Sequence, residues 1–192
     1  IMDSSRVGVR ALLPSAPMYR NYAAELGTAF ALSRDVAHNL FVSHHPILGF
    51  APDNSRPAPA VYPGNAALQS VLAPINGPSL FPPNVQTLIA GHNHLFEMVS
   101  FVSSHPTQLI SGNGGAWADA PLPRPLPPGV SVAPGTVIDS IVSTSRYGFM
   151  VLERDPDSSD LWRVEARDVH GHLMITCMLR NGKTHCTRET LP

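Results

Sequence analysis

Charge is scarce in this sequence. Lys, Arg, Asp and Glu make up 14% of the 192 residues, against about a quarter in ordinary soluble domains. The 13 basic and 14 acidic residues leave a formal net charge of −1, and no cluster of Lys or Arg stands out. The electrostatic footprint of a nucleic-acid surface is therefore missing. Long apolar runs are missing as well: nothing approaches the ~20 residues of a membrane-spanning helix, so no membrane segment is expected. The opening "IMDSSRVGVR" has no basic stretch leading into an apolar one. Ile1 and Met2 read instead as the tail of an apolar strand running into Asp3-Ser4-Ser5, so further residues upstream are expected. Cysteine is limited to two positions.

What is present suffices for a core. Apolar residues reach 43%, enough for one domain over 1–192 without staples. Proline, at 20 residues, is about twice its usual ~5% share and implies long, stiff connections. No internal repeat is visible.

The two cysteines lie in "HLMITCMLRNGKTHC". Asn181-Gly182 is a strong signal for a two-residue type I′ hairpin. Pairing outward sets Arg180 against Lys183, Leu179 against Thr184, Met178 against His185 and Cys177 against Cys186. The cysteines then fall in a non-hydrogen-bonded pair, where side chains come closest. That position admits either a disulfide or two facing buried thiols, and a disulfide would favour a periplasmic or secreted location.

Residues 16–37 read as a helix, with Ser15 as N-cap, Pro17 in the first turn, and Tyr19, Tyr22, Leu26, Phe30 and Ser33 three or four apart. "NLFVSHHP" reads as a buried strand that ends in two histidines. "NAALQSVLA" reads as a helix capped by Asn65, and "VQTLIAG" as a second strand that ends in His92-Asn93-His94. This succession predicts an α/β part over 1–95 that carries the histidine motifs. The strand-like runs "FEMVSFVS", "TQLISGN", "YGFMVLER", "LWRVEARDV", "HLMITCMLR" and "KTHCTR" predict a β-sheet part over 96–192, interrupted by a proline-rich loop at 120–134. In open α/β sheets, ligands collect where strands deliver their loops at one edge.

A lone His-x-His can be no more than two residues on one face of a strand. Here it follows an apolar strand that would hold the imidazoles on rigid support. Gly91 is expected to let the backbone turn tightly, and an equivalent strand end supplies His44 and His45. Neutral imidazole is the commonest side-chain ligand for zinc, iron and similar ions. Histidines at i and i+2 can chelate one ion or straddle two about 3.5–4 Å apart. A two-metal site also needs charged oxygen ligands, and no Asp-x-His or Asp-x-x-Asp stands at a strand end. Pro46 pushes His45 into extended backbone, so His44 and His45 are expected to point to opposite sides. Only one of them can then be a ligand, and His45 would be a group behind the ligands, a substrate-facing group or a structural one.

"FVSHHPILGF", an apolar strand, "AGHNH" and then "LISGNGG" together resemble the C-terminal half of the calcineurin-like metallophosphoesterases, the superfamily that includes purple acid phosphatases. Members carry five blocks in order: Gly-Asp-x-His, Gly-Asp-x-x-Asp, Gly-Asn-His, a lone His after a strand, and Gly-His-x-His. This chain matches the fourth at His44 and the fifth at Gly91, His92 and His94, and lacks the first three. The resemblance implies an α+β fold, the C-terminal half of a four-layer αββα sandwich with a β-rich C-terminal sheet. It implies two divalent or trivalent ions of the Fe, Zn or Mn class, with His44 and His92 on one and His94 on the other. A hydroxide between them would attack the phosphorus of a phosphoester substrate in line. It further implies that the missing aspartate and asparagine ligands belong to an N-terminal half of the same domain, so these 192 residues alone would be inactive.

Two other readings follow from the residues: a non-catalytic β-rich binding or structural module with at most one structural metal, and a mononuclear metal hydrolase using His44, His92 and His94. His105, His170, His172 and His185 read as solvated. "SGNGGAW" reads as a tight turn near the site without the lysine of a phosphate-binding P-loop, and Asp3-Ser4-Ser5 as a strand end and turn without a nucleophile elbow. The loops 49–83 and 118–134 are expected to select the substrate.

Overall fold

Two α-helices and eleven strands form among the described residues. The structure, a computed structural model, describes residues 1–53, 55, 60–115, 117–158 and 160–188. Helix α1 (Pro17–Ser33) buries Tyr22 and Leu26. Its N-cap is Ala16, with no side-chain cap, and Ser15 uses its carbonyl instead to accept from Arg20 Nη1 at 2.9 Å. The helix also stops short of residue 37. The amide of Asn84 donates to the carbonyls of Ser33 at 2.7 Å and Val36 at 3.0 Å, and Asn39 reaches the same two carbonyls. Side chains from elsewhere in the chain thus satisfy the helix end that another turn would have satisfied. Helix α2 (Ala66–Asn76) is capped as expected, Asn65 accepting from the Leu68 amide, and it runs past Pro74 to Asn76.

A five-stranded sheet has the order β1-β4-β6-β5-β7, built from β1 (Asn39–Ser43), β4 (Val85–Ala90), β5 (Phe96–Phe101), β6 (Thr107–Ser111) and β7 (Ile138–Thr144). Strands β1, β4 and β6 are parallel, and β5 runs antiparallel to both β6 and β7. Strand β7 escaped the sequence reading, because its Ile138, Ser140, Val142 alternation follows directly on the proline-rich loop. The short pair β2 (Phe50–Pro52) and β3 (Val61–Pro63) escaped it too. A four-stranded antiparallel sheet, order β11-β10-β9-β8, holds β8 (Gly148–Arg154), β9 (Leu161–Asp168), β10 (Leu173–Arg180) and β11 (Lys183–Arg188).

Alternation along the central strands sorts the core into two layers. Leu88, Val99, Phe101 and Ile110 pack with Leu26, Leu68 and Leu72 of the helices. Phe96, Met98, Leu109 and Val142 face the second sheet and pack with Val164, Ala166, Ile175 and Leu179. The fold is therefore mixed α and β: helices, a mixed sheet and an antiparallel sheet stacked in order. No helix of the described residues is long and apolar enough to cross a membrane.

The hairpin forms in the expected register, Arg180 to Lys183 through Cys177 to Cys186, with Asn181 and Gly182 at φ 50° and 70° as a type I′ turn requires. Cys177 and Cys186 form a disulfide with their Cα atoms 4.0 Å apart.

Candidate metal centre

Parallel pairing brings the chain segments that leave β1, β4 and β6 to one sheet edge. His44-His45 follows β1, Gly91 to His94 follows β4, and Gly112 to Asp119 follows β6. The first two are tied directly, Gly91 N donating to His44 O at 3.2 Å. At their junction His92 Nδ1 lies 3.1 Å from His44 Nε2, although the residues are 48 apart in sequence. Two nitrogens each about 2.1 Å from one ion, at tetrahedral or octahedral angles, lie roughly 3.0–3.4 Å apart. The observed pair fits a single ion.

His45 joins the same cluster. Its ring centroid is 4.8 Å from that of His44 and 3.9 Å from that of His92, so the two neighbouring histidines do not diverge as extended backbone would have required. The strand has ended at Ser43, whose hydroxyl donates to His45 O at 2.9 Å, and this local turn folds both imidazoles to one side. His45 is buried. Its Nδ1 lies 2.7 Å from Ser4 O and its backbone N donates to Ser4 Oγ at 2.9 Å. A carbonyl oxygen only accepts, so Nδ1 carries the proton and Nε2 is bare, the arrangement that backbone carbonyls impose on metal-bound histidines. Among the described residues, one nitrogen each from His44, His45 and His92 come within 4.8 Å of one another.

His94 stands outside that trio. Its backbone is clamped by Asp119, whose Oδ2 accepts from His94 N at 2.7 Å and whose N donates to His94 O at 3.0 Å. The left-handed residue in this loop is His92, at φ 62°, and not Gly91, where an added Cβ would meet open space. Such a conformation is uncommon outside glycine, though histidine tolerates it better than most, and strain of this kind gathers at functional sites. The close approach belongs to Gly112, where a Cβ would sit 1.9 Å from Asn93 O. "SGNGGAW" thus supplies the backbone contact under the histidine loop, with Ala116 outside the described residues, as are 54 and 56–59 of the loop 49–83.

Buried polar groups hold the segment after His45-Pro46. Gln108 Oε1 accepts from Ile47 N at 3.0 Å and Leu48 N at 3.2 Å, Glu97 Oε1 accepts from Phe50 N at 3.0 Å, and Asn93 Nδ2 donates to Phe50 O at 2.9 Å. Removal from water lowers the pKa of His92 to about 4, helped by His45, His44 and His94 and opposed by Asp119. Burial lowers that of His45 as well, against its bond to Ser4 and with help from His44. Neutral imidazole is the form a metal ion takes, so protons compete weakly here.

No protein-family model matches the chain, and neither does any curated protein.

Three groups escaped the sequence reading. Ser4, set aside as part of a turn, holds His45 from 41 residues away. Asp119 anchors His94 from just before the proline-rich loop, and the Asp3 carboxyl is held below its ordinary pKa by its bonds from Ser5, with smaller help from Arg6 and then His44. None had a local signal, since each partner is far away in sequence. His105, expected in solvent, is buried between Ser103 Oγ at 3.0 Å and Pro78 O at 2.9 Å, whereas His170, His172 and His185 are exposed.

Proposed function

We propose that this chain is the histidine-bearing portion of a dinuclear metal-dependent phosphoester hydrolase of the calcineurin-like kind, with His44 and His92 on one ion and His94 on the other. The observation that carries the reading is the 3.1 Å approach of His92 Nδ1 to His44 Nε2 at two strand ends, with the backbone of His94 tied to Asp119 beside them. The stacking of helices on a mixed sheet on an antiparallel sheet agrees with one half of an αββα sandwich. When bound, ions of the Fe, Zn or Mn class supply charge to neutralise phosphoryl oxygens and to lower the pKa of water.

The chain's own residues prepare the ligands. His45 packs against His92 with ring centroids 3.9 Å apart and its proton fixed on Nδ1 by Ser4 O, and Asp119 fixes the backbone of His94. A complete site requires aspartate and asparagine ligands that these 192 residues do not present in a matching motif, and they are assigned to an N-terminal half of the same domain. The Cys177–Cys186 disulfide supports an oxidising location, periplasmic or secreted.

Metal analysis of the complete polypeptide should find two ions per chain, and His92→Ala or His94→Ala should each remove nearly all phosphoesterase activity. Full activity in both variants would refute the assignment. The convergence of His44, His45 and His92 favours a second reading, a single ion on those three nitrogens. In that case one ion is found, and it is lost in His45→Ala but kept in His94→Ala.

A further inference from the structure

The turn between β9 and β10 carries a second His-x-His, in the run Asp168-Val169-His170-Gly171-His172. Asp168, the last residue of β9, organises it. The carboxyl is buried, and its Oδ1 accepts from the amides of both His170 and His172 at 2.9 Å. Asp168 N donates to His172 O at 2.9 Å and Gly171 N to Asp168 O at 3.0 Å, while Arg167 Nη1 donates to Gly171 O at 2.7 Å. Gly171 supplies the left-handed step at φ 85°. The backbone under both imidazoles is therefore fixed, and the two exposed rings stand with centroids 5.9 Å apart. Asp168 Oδ2 lies 3.1 Å from His172 Nδ1. A carboxylate only accepts, so Nδ1 carries the proton, and Nε2 of the neutral ring is bare. Arg146 Nη2 lies 3.6 Å from the same Oδ2, so this oxygen is already engaged and the carboxylate stands behind the imidazole.

We infer that His170 and His172 form an accessory site for a borderline divalent ion, Zn(II), Cu(II) or Ni(II), with Asp168 as the group that orients His172. An imidazole nitrogen about 2.0–2.1 Å from zinc puts its ring centroid a little over 3 Å from the ion, so two rings on one ion stand roughly 5–6 Å apart at tetrahedral or wider angles. The observed 5.9 Å lies in that range, as does the 5.0 Å between His44 and His92. A carboxylate that accepts from the remote N–H of a ligating imidazole fixes its tautomer and orientation and makes its other nitrogen more basic. Neutral nitrogen donors select zinc, copper and nickel over magnesium and calcium, which take oxygen. Two protein nitrogens leave the remaining positions to water, so the ion exchanges freely and dialysis removes it. The site belongs to the antiparallel sheet, shares no residue with the cluster of His44, His45 and His92, and does not depend on the phosphoesterase reading.

The test titrates zinc chloride into the complete polypeptide after dialysis, by calorimetry and by long-range 1H–15N spectra of the histidine rings. One further zinc should bind, moving the signals of His170 and of His172 Nε2 while His172 Nδ1 stays protonated, and a large excess of magnesium should not displace it. His170→Ala and His172→Ala should each abolish this binding, and both replace exposed side chains. His185→Ala, which removes an exposed histidine on β11, should leave it unchanged. Asp168→Asn keeps an oxygen for the two turn amides but loses the carboxylate behind His172, and it should weaken zinc about 10–100-fold. Absence of a further zinc, its survival in either alanine variant at position 170 or 172, or equal displacement by magnesium overturns the site. Coordination through His172 Nδ1, or an Asp168→Asn protein that binds zinc as tightly as the parent, overturns the orienting role of Asp168 on which the inference is built.

Discussion

Two glycines separate what the sequence suggests from what the backbone needs. Gly91 precedes the histidine pair and invites the role of turn-maker, yet its backbone is not left-handed and an added Cβ would find nothing within 4 Å. Gly91→Ala should therefore fold with a stability within about 1 kcal/mol of the parent and bind metal equally well. Gly112→Ala places a Cβ 1.9 Å from Asn93 O, a backbone atom of the histidine loop that cannot move without His92 and His94. That variant should lose about 2 kcal/mol or more of stability and a comparable share of metal affinity, read by denaturant unfolding and by metal titration. Equal behaviour of the two variants would contradict the contact. The identity of the histidines was legible because residue type and strand-end position are local properties. Their support was not: Ser4, Gly112 and Asp119 reach them across tens of residues, and a serine, a glycine and an aspartate in polar loops carry no periodicity.

Elements whose signals are local were read correctly and those defined by tertiary partners were not. The hairpin of β10 and β11 follows from Asn181-Gly182 alone, down to the pairing of Cys177 with Cys186. Helix α2 follows from Asn65. By contrast α1 ends early because Asn39 and Asn84 claim the carbonyl of its last residue, Ser33, and β7 exists because β5 pairs with it; neither partner is visible locally. The disulfide spans nine positions, and closing so short a loop restricts the unfolded chain by about 2–3 kcal/mol. Replacing both cysteines with serine should lower stability by at least about that amount, because Cys177 is fully buried and its serine also buries a hydroxyl, and dithiothreitol should destabilise the parent but not the variant. A parent indifferent to the reductant would mean that the thiols are unbridged.

At the scale of the whole molecule, one buried acid links the layers to the site. Glu97 is fully buried on the helix-facing side of β5, where it accepts the Phe50 amide and so holds the segment that leaves His45. Burial raises its pKa to about 8 from an ordinary 4.5, against the smaller opposing effect of that amide. Between about pH 4.5 and 8 the folded chain thus binds more protons at this position than the unfolded chain. Stability from this group is full below pH 4.5 and falls as pH rises through 8, by a total on the order of a few kcal/mol. His92 acts with the opposite sign: its depressed pKa makes the folded chain bind fewer protons between about 4 and 6.5, so stability rises with pH there. Comparison with Glu97→Gln isolates the acid, since the amide keeps an acceptor for Phe50 and cannot ionise. Urea unfolding with metal chelated should show the parent losing stability relative to the variant from pH 5 to pH 8.5. Parallel curves for the two proteins would mean that Glu97 keeps an ordinary pKa in the fold, and that water reaches the space between the helices and the central sheet.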